Sequence, residues 1–450
     1  MKPAPGCVEV ARGGRFWRLA DRSWRTGSVR SANIEVMWRL LRAVVFGILL
    51  IRASLDPALN LLGGDDGASS MGFGAIFNVL AIAIALLTLA QRPLTAPFLV
   101  AGIWGPFLLI AIVATFHASD LAGAARLSFV LLSYWSFFII PLFILRSSAD
   151  VSRFILLVIG SSIVPSLYAL VDIARGLSDM EDFRLQSTFS HPNIYAFYLV
   201  LLLGLSFYVR SSQIVRVTSQ VRVLIMLYTP VLGVFLMLTK TRSAWITCGL
   251  MFLVYAIRID RRFLTGLLLV PVLLAANPSV MERLTDLTTA TEVDSFKQLN
   301  ESTRLNSYVW RQALWESAIT QILEKPLLGH GLMSFKPSTP SFFPLIGPEG
   351  IDGHNFYLQV GFEMGLLGVL ALVWLLGSLA RYLARGLRRD PPGIVIILCI
   401  LAAYVLESYS DNMQFYLSFN WYFWFVMGTI CAWIYNEGQY DAPRHRPRDG

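Results

Sequence analysis

Residues able to bind an anion or move a proton gather in three places along this sequence, each beside an apolar run. The first is the turn Lys240-Thr241-Arg242-Ser243. Two cations in so tight a turn at a membrane surface need a partner or a ligand, although snorkelling to water relieves part of their cost. The second is Arg184-Leu185-Gln186-Ser187-Thr188-Phe189-Ser190-His191-Pro192-Asn193. Pro192 can open a helix because its missing N–H has no role in a first turn. The remaining first-turn N–H groups can receive an anion, and Arg184 adds a planar fork suited to phosphate oxygens. His191 reads as a hydrogen bonder at the helix entry in preference to a catalyst. The third place is Asp352-Gly353-His354-Asn355-Phe356-Tyr357-Leu358-Gln359. Asn355, Gln359 and Glu363 recur at steps of four, so they form one polar stripe, and Gly361 and Gly365 allow close packing beside it. His354 stands at the end of that stripe, and an imidazole with an ordinary pKa of about 6.5 can exchange a proton at neutral pH. His330, between Gly329 and Gly331, marks a turn.

The elements that must position these residues are membrane helices. Of 450 residues, 55% are AVILMFWYC and 15% are charged, with a mean hydropathy of +0.59. A soluble domain carries about 25% charged residues, so a water-soluble enzyme is excluded. Twelve apolar runs are expected, near 37–55, 72–90, 96–115, 128–145, 154–171, 194–209, 223–239, 243–257, 263–276, 356–380, 393–406 and 415–435. The count falls to eleven if the first, interrupted by Arg39, Arg42 and Arg52, does not cross. With a cytoplasmic N-terminus the inner loops are rich in arginine, as at Arg258, Arg261 and Arg262 and again at Arg381, Arg385, Arg388 and Arg389. That retention pattern absorbs most of the net charge of +8 and removes the case for nucleic acid.

The expected organisation is a basic cytoplasmic tail (1–36), spans one to nine (37–276), a helical periplasmic loop (277–355), spans ten to twelve (356–435) and a second cytoplasmic tail (436–450). Arg12, Arg15, Arg18, Arg22 and Arg25 in the first tail fit either an interfacial amphipathic helix or a disordered topology signal. Met37 is an alternative start. Cys7, Cys248, Cys399 and Cys431 have no spacing that points to a disulfide framework or zinc site. No carboxylate pair accompanies the arginines to suggest a divalent cation, and no cofactor is expected.

At these residues the sequence resembles the O-antigen ligase and polymerase superfamily, which includes exopolysaccharide polymerases. The similar pieces, in order, are Arg184 to Asn193, Lys240 to Ser243, Trp310-Arg311-Gln312-Ala313-Leu314, Lys325 to Gly331, His354-Asn355 and Glu363 to Gly368. The resemblance implies an all-α polytopic fold, GT-C-like, in the bacterial inner membrane. It also implies a glycan donor carried on polyprenyl diphosphate, an acceptor glycan or lipid A core, no metal, arginines on the diphosphate and a loop histidine near the acceptor hydroxyl. On this reading Arg184, Lys240 and His191 hold the diphosphate together with Arg304 or Arg311, and Arg242, on the same diphosphate, is catalytic because it stabilises the charge that develops as the bond breaks. The family often has an arginine about four residues before the loop tryptophan, where this chain has Asn306, so both flanking arginines stay open. His354 takes the acceptor proton, with Asp352 or Glu349 to orient it, and Asn355, Gln359 and Glu363 support it. Direct displacement then inverts the anomeric carbon. The competing class is a lipid-linked glycan flippase or other polysaccharide transporter. Charges collected near the membrane surface, without paired repeats, favour chemistry over passage.

Overall fold

A computed structural model describes residues 28–57, 73–92, 95–176, 183–267, 307–343 and 345–441. The expected first tail, up to residue 27, and Arg304 lie outside them. The chain divides into Met1–Gly47 and Ile48–Gly450. In the smaller unit, Arg39 pairs with Glu35 one helical turn away, at 3.0 Å. The rest of the description concerns the larger unit.

The described helices are α1 (Ser28–Arg52), α2 (Phe73–Gln91), α3 (Gly105–Phe116), α4 (Leu121–Ile144), α5 (Ser148–Gly160), α6 (Ile163–Gly176), α7 (Pro192–Ser211) and α8 (Ser219–Leu238). They continue as α9 (Arg242–Arg258), α10 (Phe263–Leu267), α11 (Ser307–Glu324), α12 (Phe335–Phe342), α13 (Phe356–Leu383), α14 (Pro391–Ser410) and α15 (Leu417–Asp441). No strand occurs among the described residues. Among the described residues, eight helical segments are long and apolar enough to cross a membrane, and Ala75–Gln91 is a shorter apolar helix. The chain is therefore a polytopic helical membrane protein. The expected ninth run is described only as far as α10.

The core lies around α15 and α7. Trp421, Tyr422, Trp424 and Phe425 of α15 are fully enclosed, and α15 packs along α4. At Gly428 a side chain would collide with the backbone of Phe138, so the two helices meet at van der Waals contact. Several polar groups inside are matched: Trp421 donates to Ser133 (2.9 Å), and Tyr404 and Trp424 both donate to Asn420 (3.1 Å each). Arg52, one of the charges interrupting the first apolar run, is buried and paired with Asp56, which also accepts from Ser418 (2.9 Å). Paired burial is how a membrane segment keeps an ion. Outside this core α7 packs on α8 and α14, and α14 packs on α9. These four helices build the site.

The tenth expected run, α13, is broken where the sequence suggests only close packing. Gly365 has φ 64° and ψ −164°, a backbone state open essentially to glycine alone. The segment Pro326–Gly331 docks into the break. His330 and Gly331 donate backbone N–H groups to the carbonyls of Phe362 (2.8 Å) and Glu363 (3.0 Å). Leu366 and Leu367 donate to Pro326 (2.7 Å) and Leu327 (3.2 Å). Non-helical backbone persists at membrane depth only when its polar groups are met in this way. Gly329 (φ 70°) and Gly331 (φ 100°) supply the turn, and His330 stacks on Phe362 and bonds the Gln321 carbonyl at 2.9 Å. His330 is thus a turn residue. The helices before the break share a small core of Leu314, Ala318, Phe335, Phe343 and Phe362.

Candidate functional site

Four segments meet at one end of the bundle: the entry to α7, the α8–α9 turn, the side of α11 and the exit of α14. Pro192 is the first residue of α7, and His191 caps it by accepting the Asn193 N–H on Nδ1 at 3.1 Å. That nitrogen must be unprotonated to accept. The imidazole pKa is correspondingly lowered, by partial burial first and then by Arg184 and Arg311. His191 is therefore the expected helix-entry hydrogen bonder.

Between α8 and α9 the chain turns through Thr239, Lys240 and Thr241. Lys240 is left-handed (φ 52°) and buried, a backbone state that costs a non-glycine residue about 1 to 3 kcal/mol. Local bonds hold it there: Lys240 N to Met237 O (3.2 Å), Thr239 Oγ1 to Leu236 O (2.8 Å) and Thr241 N to Thr239 Oγ1 (3.3 Å). Arg242 then opens α9. Arg184 is laid across the same turn, because Leu185 N donates to Leu238 O at 2.9 Å. Its guanidinium donates to Thr239 O (3.1 Å), Asn193 Oδ1 (2.9 Å) and Thr241 Oγ1 (3.3 Å). Across the gap, Arg311 of α11 donates to the Ser410 carbonyl at the end of α14 (3.0 Å).

Arg184, Lys240, Arg242 and Arg311 all line one cavity of about 510 Å³. Asp411 is the one carboxylate in its lining, and Ile246, Leu250 and Leu406 give it an apolar flank. Asp411 accepts from Asn193 Nδ2 (2.9 Å) and from Tyr416 (2.5 Å). Burial chiefly pushes its carboxyl up to about 6, while the Tyr416 bond and Arg311 pull the other way.

His354 stands beside this cavity and not in its lining. It is half-buried, 6.5 Å ring to ring from Trp310, and left-handed (φ 47°). The polar stripe explains how that backbone is held. Gln359 Oε1 accepts from Gly353 N (2.9 Å) and Asn412 Nδ2 (3.0 Å), and Gln359 Nε2 donates to Glu363 Oε1 (2.6 Å). Asn355 N donates to Asn412 Oδ1 (2.9 Å), and Trp315 donates to the Gly353 carbonyl (2.7 Å). Backbone groups on both sides of His354 are thus tied down. The helix cap itself is Asn355, whose Oδ1 accepts from Leu358 N at 3.1 Å. Burial, then Arg311, then His191 lower the His354 imidazole to about 4. It is neutral at pH 7, able to accept a proton but reluctant to keep it, because burial and the Arg311 charge both oppose imidazolium.

The expected orienting carboxylates do not reach it. Neither Asp352 nor Glu349 hydrogen-bonds His354 in the described residues. The Asp352 carboxyl is raised by burial, against the opposing charge of Lys336. Of the two arginines flanking Trp310, Arg311 lines the cavity, and Arg304 is outside the described residues. Among the described residues no three His, Cys, Asp or Glu side chains gather around a common point.

With this geometry in place, comparison with known proteins bears on identity. Residues 223–373 match the family described as O-antigen ligase. A protein of Rickettsia conorii (strain ATCC VR-613 / Malish 7), provisionally named a polysaccharide ligase, is 24% identical over 131 residues. That alignment covers 28% of this chain and 29% of the relative, so it spans under a third of the relative's length. Both findings support the resemblance to the O-antigen ligase and polymerase superfamily. The O-antigen ligase match takes in Lys240, Arg242, Arg311, His354 and the Gln359–Glu363 stripe. Arg184, His191 and Asp411 fall outside it and join the site through folding. Asp411, Asn412 and Trp315 are absent from the sequence-based set. One signal pointed to the first two: a polar Ser-Asp-Asn connection between two apolar runs at the membrane end that carries the cations.

Proposed function

We propose that this protein is a membrane glycosyltransferase that moves a glycan from a polyprenyl-diphosphate donor to an acceptor hydroxyl, as an exopolysaccharide or O-antigen polymerase or an O-antigen ligase. The full reading is a GT-C-like protein of twelve spans in the bacterial inner membrane, with both termini cytoplasmic and the site on the periplasmic face. The observation that carries it is the convergence of Arg184, Lys240, Arg242 and Arg311, from three separate stretches, on one cavity with an apolar flank. A diphosphate joined to a lipid has that pair of properties: a compact polyanion at the membrane surface and a tail along the helices.

The chemistry follows from the charges. The acceptor oxygen attacks the anomeric carbon, the bond to the diphosphate breaks, and the electron pair leaves with the lipid diphosphate. The four cations stabilise the charge developing on that leaving group, and fixed cations serve best because they need not reorganise during the reaction. The acceptor proton passes to the His354 imidazole. Donor binding helps this step, because a polyanion near Arg311 cancels part of the field that depresses His354. Attack opposite the leaving group inverts the anomeric configuration, and no step requires a metal.

The test is transfer by the purified full chain in vesicles supplied with a lipid-linked glycan. Arg242→Ala is expected to abolish product while lipid-linked glycan still reaches the far leaflet, and the wild-type product is expected to show inversion. Loss of translocation in that variant would assign the protein to transport, and a retained configuration would remove direct displacement.

A further inference from the structure

The helices that build the cationic site carry a second arginine-lined cavity, of about 700 Å³, at their other ends. Its walls are Arg210 and Ser211 from the last turn of α7, Arg222 from the first turn of α8, Tyr255 and Arg258 from the last turn of α9, and the prolines opening α14. The 20 residues of α7 put about 30 Å between Pro192 and Ser211. The two cavities therefore open on opposite faces of the membrane.

Three guanidinium groups share the second cavity with one carboxylate, Asp260. Arg210 is held in place: it donates to Tyr255 (3.1 Å) and to Asp260 (3.3 Å), and it lies 5.3 Å over the Phe263 ring. Arg222 and Arg258 are exposed, and neither forms an ion pair with a described residue. Two exposed cations beside a fixed one suit an anion with several oxygens. The surroundings narrow the class of anion, because Ile259 and Val395 line the cavity and Val223, Leu224 and Ile257, which adjoin these arginines in sequence, are exposed apolar side chains. A small ion would use the cations and leave that flank unused. A lipid would use both, and basic pockets between membrane helices hold phosphate head groups by this means.

We propose that this cavity binds the phosphodiester head group of an anionic phospholipid in the leaflet opposite the Arg184–Arg242 site. The full chain in detergent is titrated with phosphatidylglycerol, phosphatidylcholine or inorganic phosphate, and bound species are counted by native mass spectrometry. Phosphatidylglycerol is expected to bind in preference to phosphatidylcholine and to resist displacement by phosphate. Its affinity is expected to fall about fivefold for each arginine removed in Arg222→Gln/Arg258→Gln, and to stay within about twofold in Arg381→Gln/Arg388→Gln, which removes equal charge elsewhere. An unchanged affinity in the first pair, an equal loss in both pairs, or phosphate binding as tightly as the lipid overturns the proposal. A photoreactive phosphatidylglycerol on the wild-type chain tests it without substitution. Crosslinks on the peptides containing Arg222 or Arg258 support it, and crosslinks confined elsewhere reject it.

Discussion

Arg184 and Arg210 guard opposite ends of α7 and are held by opposite means. Arg184 donates to a carbonyl, an amide oxygen and a hydroxyl, all neutral. Arg210 donates to a carboxylate and a phenol and rests on an aromatic ring. Neutral acceptors fix a guanidinium without cancelling its charge, whereas a carboxylate does both. The cavity at Arg184 thus gathers four cations around one described carboxylate, Asp411. The cavity at Arg210 has one charge compensated and two on flexible stems at the surface.

The largest effect should come from removing the field. In the vesicle assay Arg242→Ala or Arg311→Ala is expected to lower transfer about 100- to 1,000-fold, the usual loss when a fixed transition-state donor goes. An equal loss in Arg210→Ala would erase the distinction between the two ends. Next comes the scaffold of the Arg184 end. Gly365→Ala forces a side chain into glycine-only backbone and within 2.4 Å of the Leu327 backbone, so destabilisation of about 3 kcal/mol or more is expected in thermal unfolding. Gln359→Leu leaves the Gly353 N–H and the Asn412 amide without their acceptor. A buried group so orphaned costs about 1 to 3 kcal/mol, and transfer should fall about tenfold or more through misplacement of His354.

A smaller and more diagnostic effect lies in pH. With His354 at about 4 in the free protein, the acid limb of kcat/KM should lie below the ordinary histidine range of about 6.5. Arg311→Gln should move that limb upward, because it removes a charge that opposes imidazolium. Asp411, at about 6, is the rival base, and a limb that disappears in Asp411→Asn would transfer the role to it. The linkage sign for His354 is also fixed. Between about 6.5 and 4 the unfolded chain binds a proton that the folded imidazole refuses, so this group's contribution to stability declines as pH falls through that window. The smallest effect is expected at the other end: Arg210→Met breaks a partly exposed ion pair and should cost about 0.5 to 1 kcal/mol of stability.

Much of the site was legible because membranes make polar residues expensive. Lys240, Arg242 and Arg184 stand out beside apolar runs, and the four-residue recurrence of Asn355, Gln359 and Glu363 locates a buried face. What hides is backbone conformation and long-range pairing. The left-handed states of Lys240 and His354 leave no composition signal, since lysine and histidine are not turn formers. Gly365 reads equally well as a small packing residue. Asp352 is near His354 in sequence yet does not hydrogen-bond it, and Asn412, 57 residues beyond Asn355, secures the Asn355 backbone instead. The Ser-Asp-Asn signal at Asp411 is weak, because a single acid after an apolar run is also ordinary loop composition.

The interruption of α13 constrains the order in which the protein can be assembled. Until Pro326–Gly331 is in place, the carbonyls of Phe362 and Glu363 and the amides of Leu366 and Leu367 would face hydrocarbon bare. The docking segment precedes α13 in the chain, so it emerges from the ribosome first and can wait at the membrane surface for the helix that needs it. A circular permutation that moved residues 307–343 behind α13 would reverse that sequence of events, and the spanning helix would have to enter the bilayer with its break unhealed.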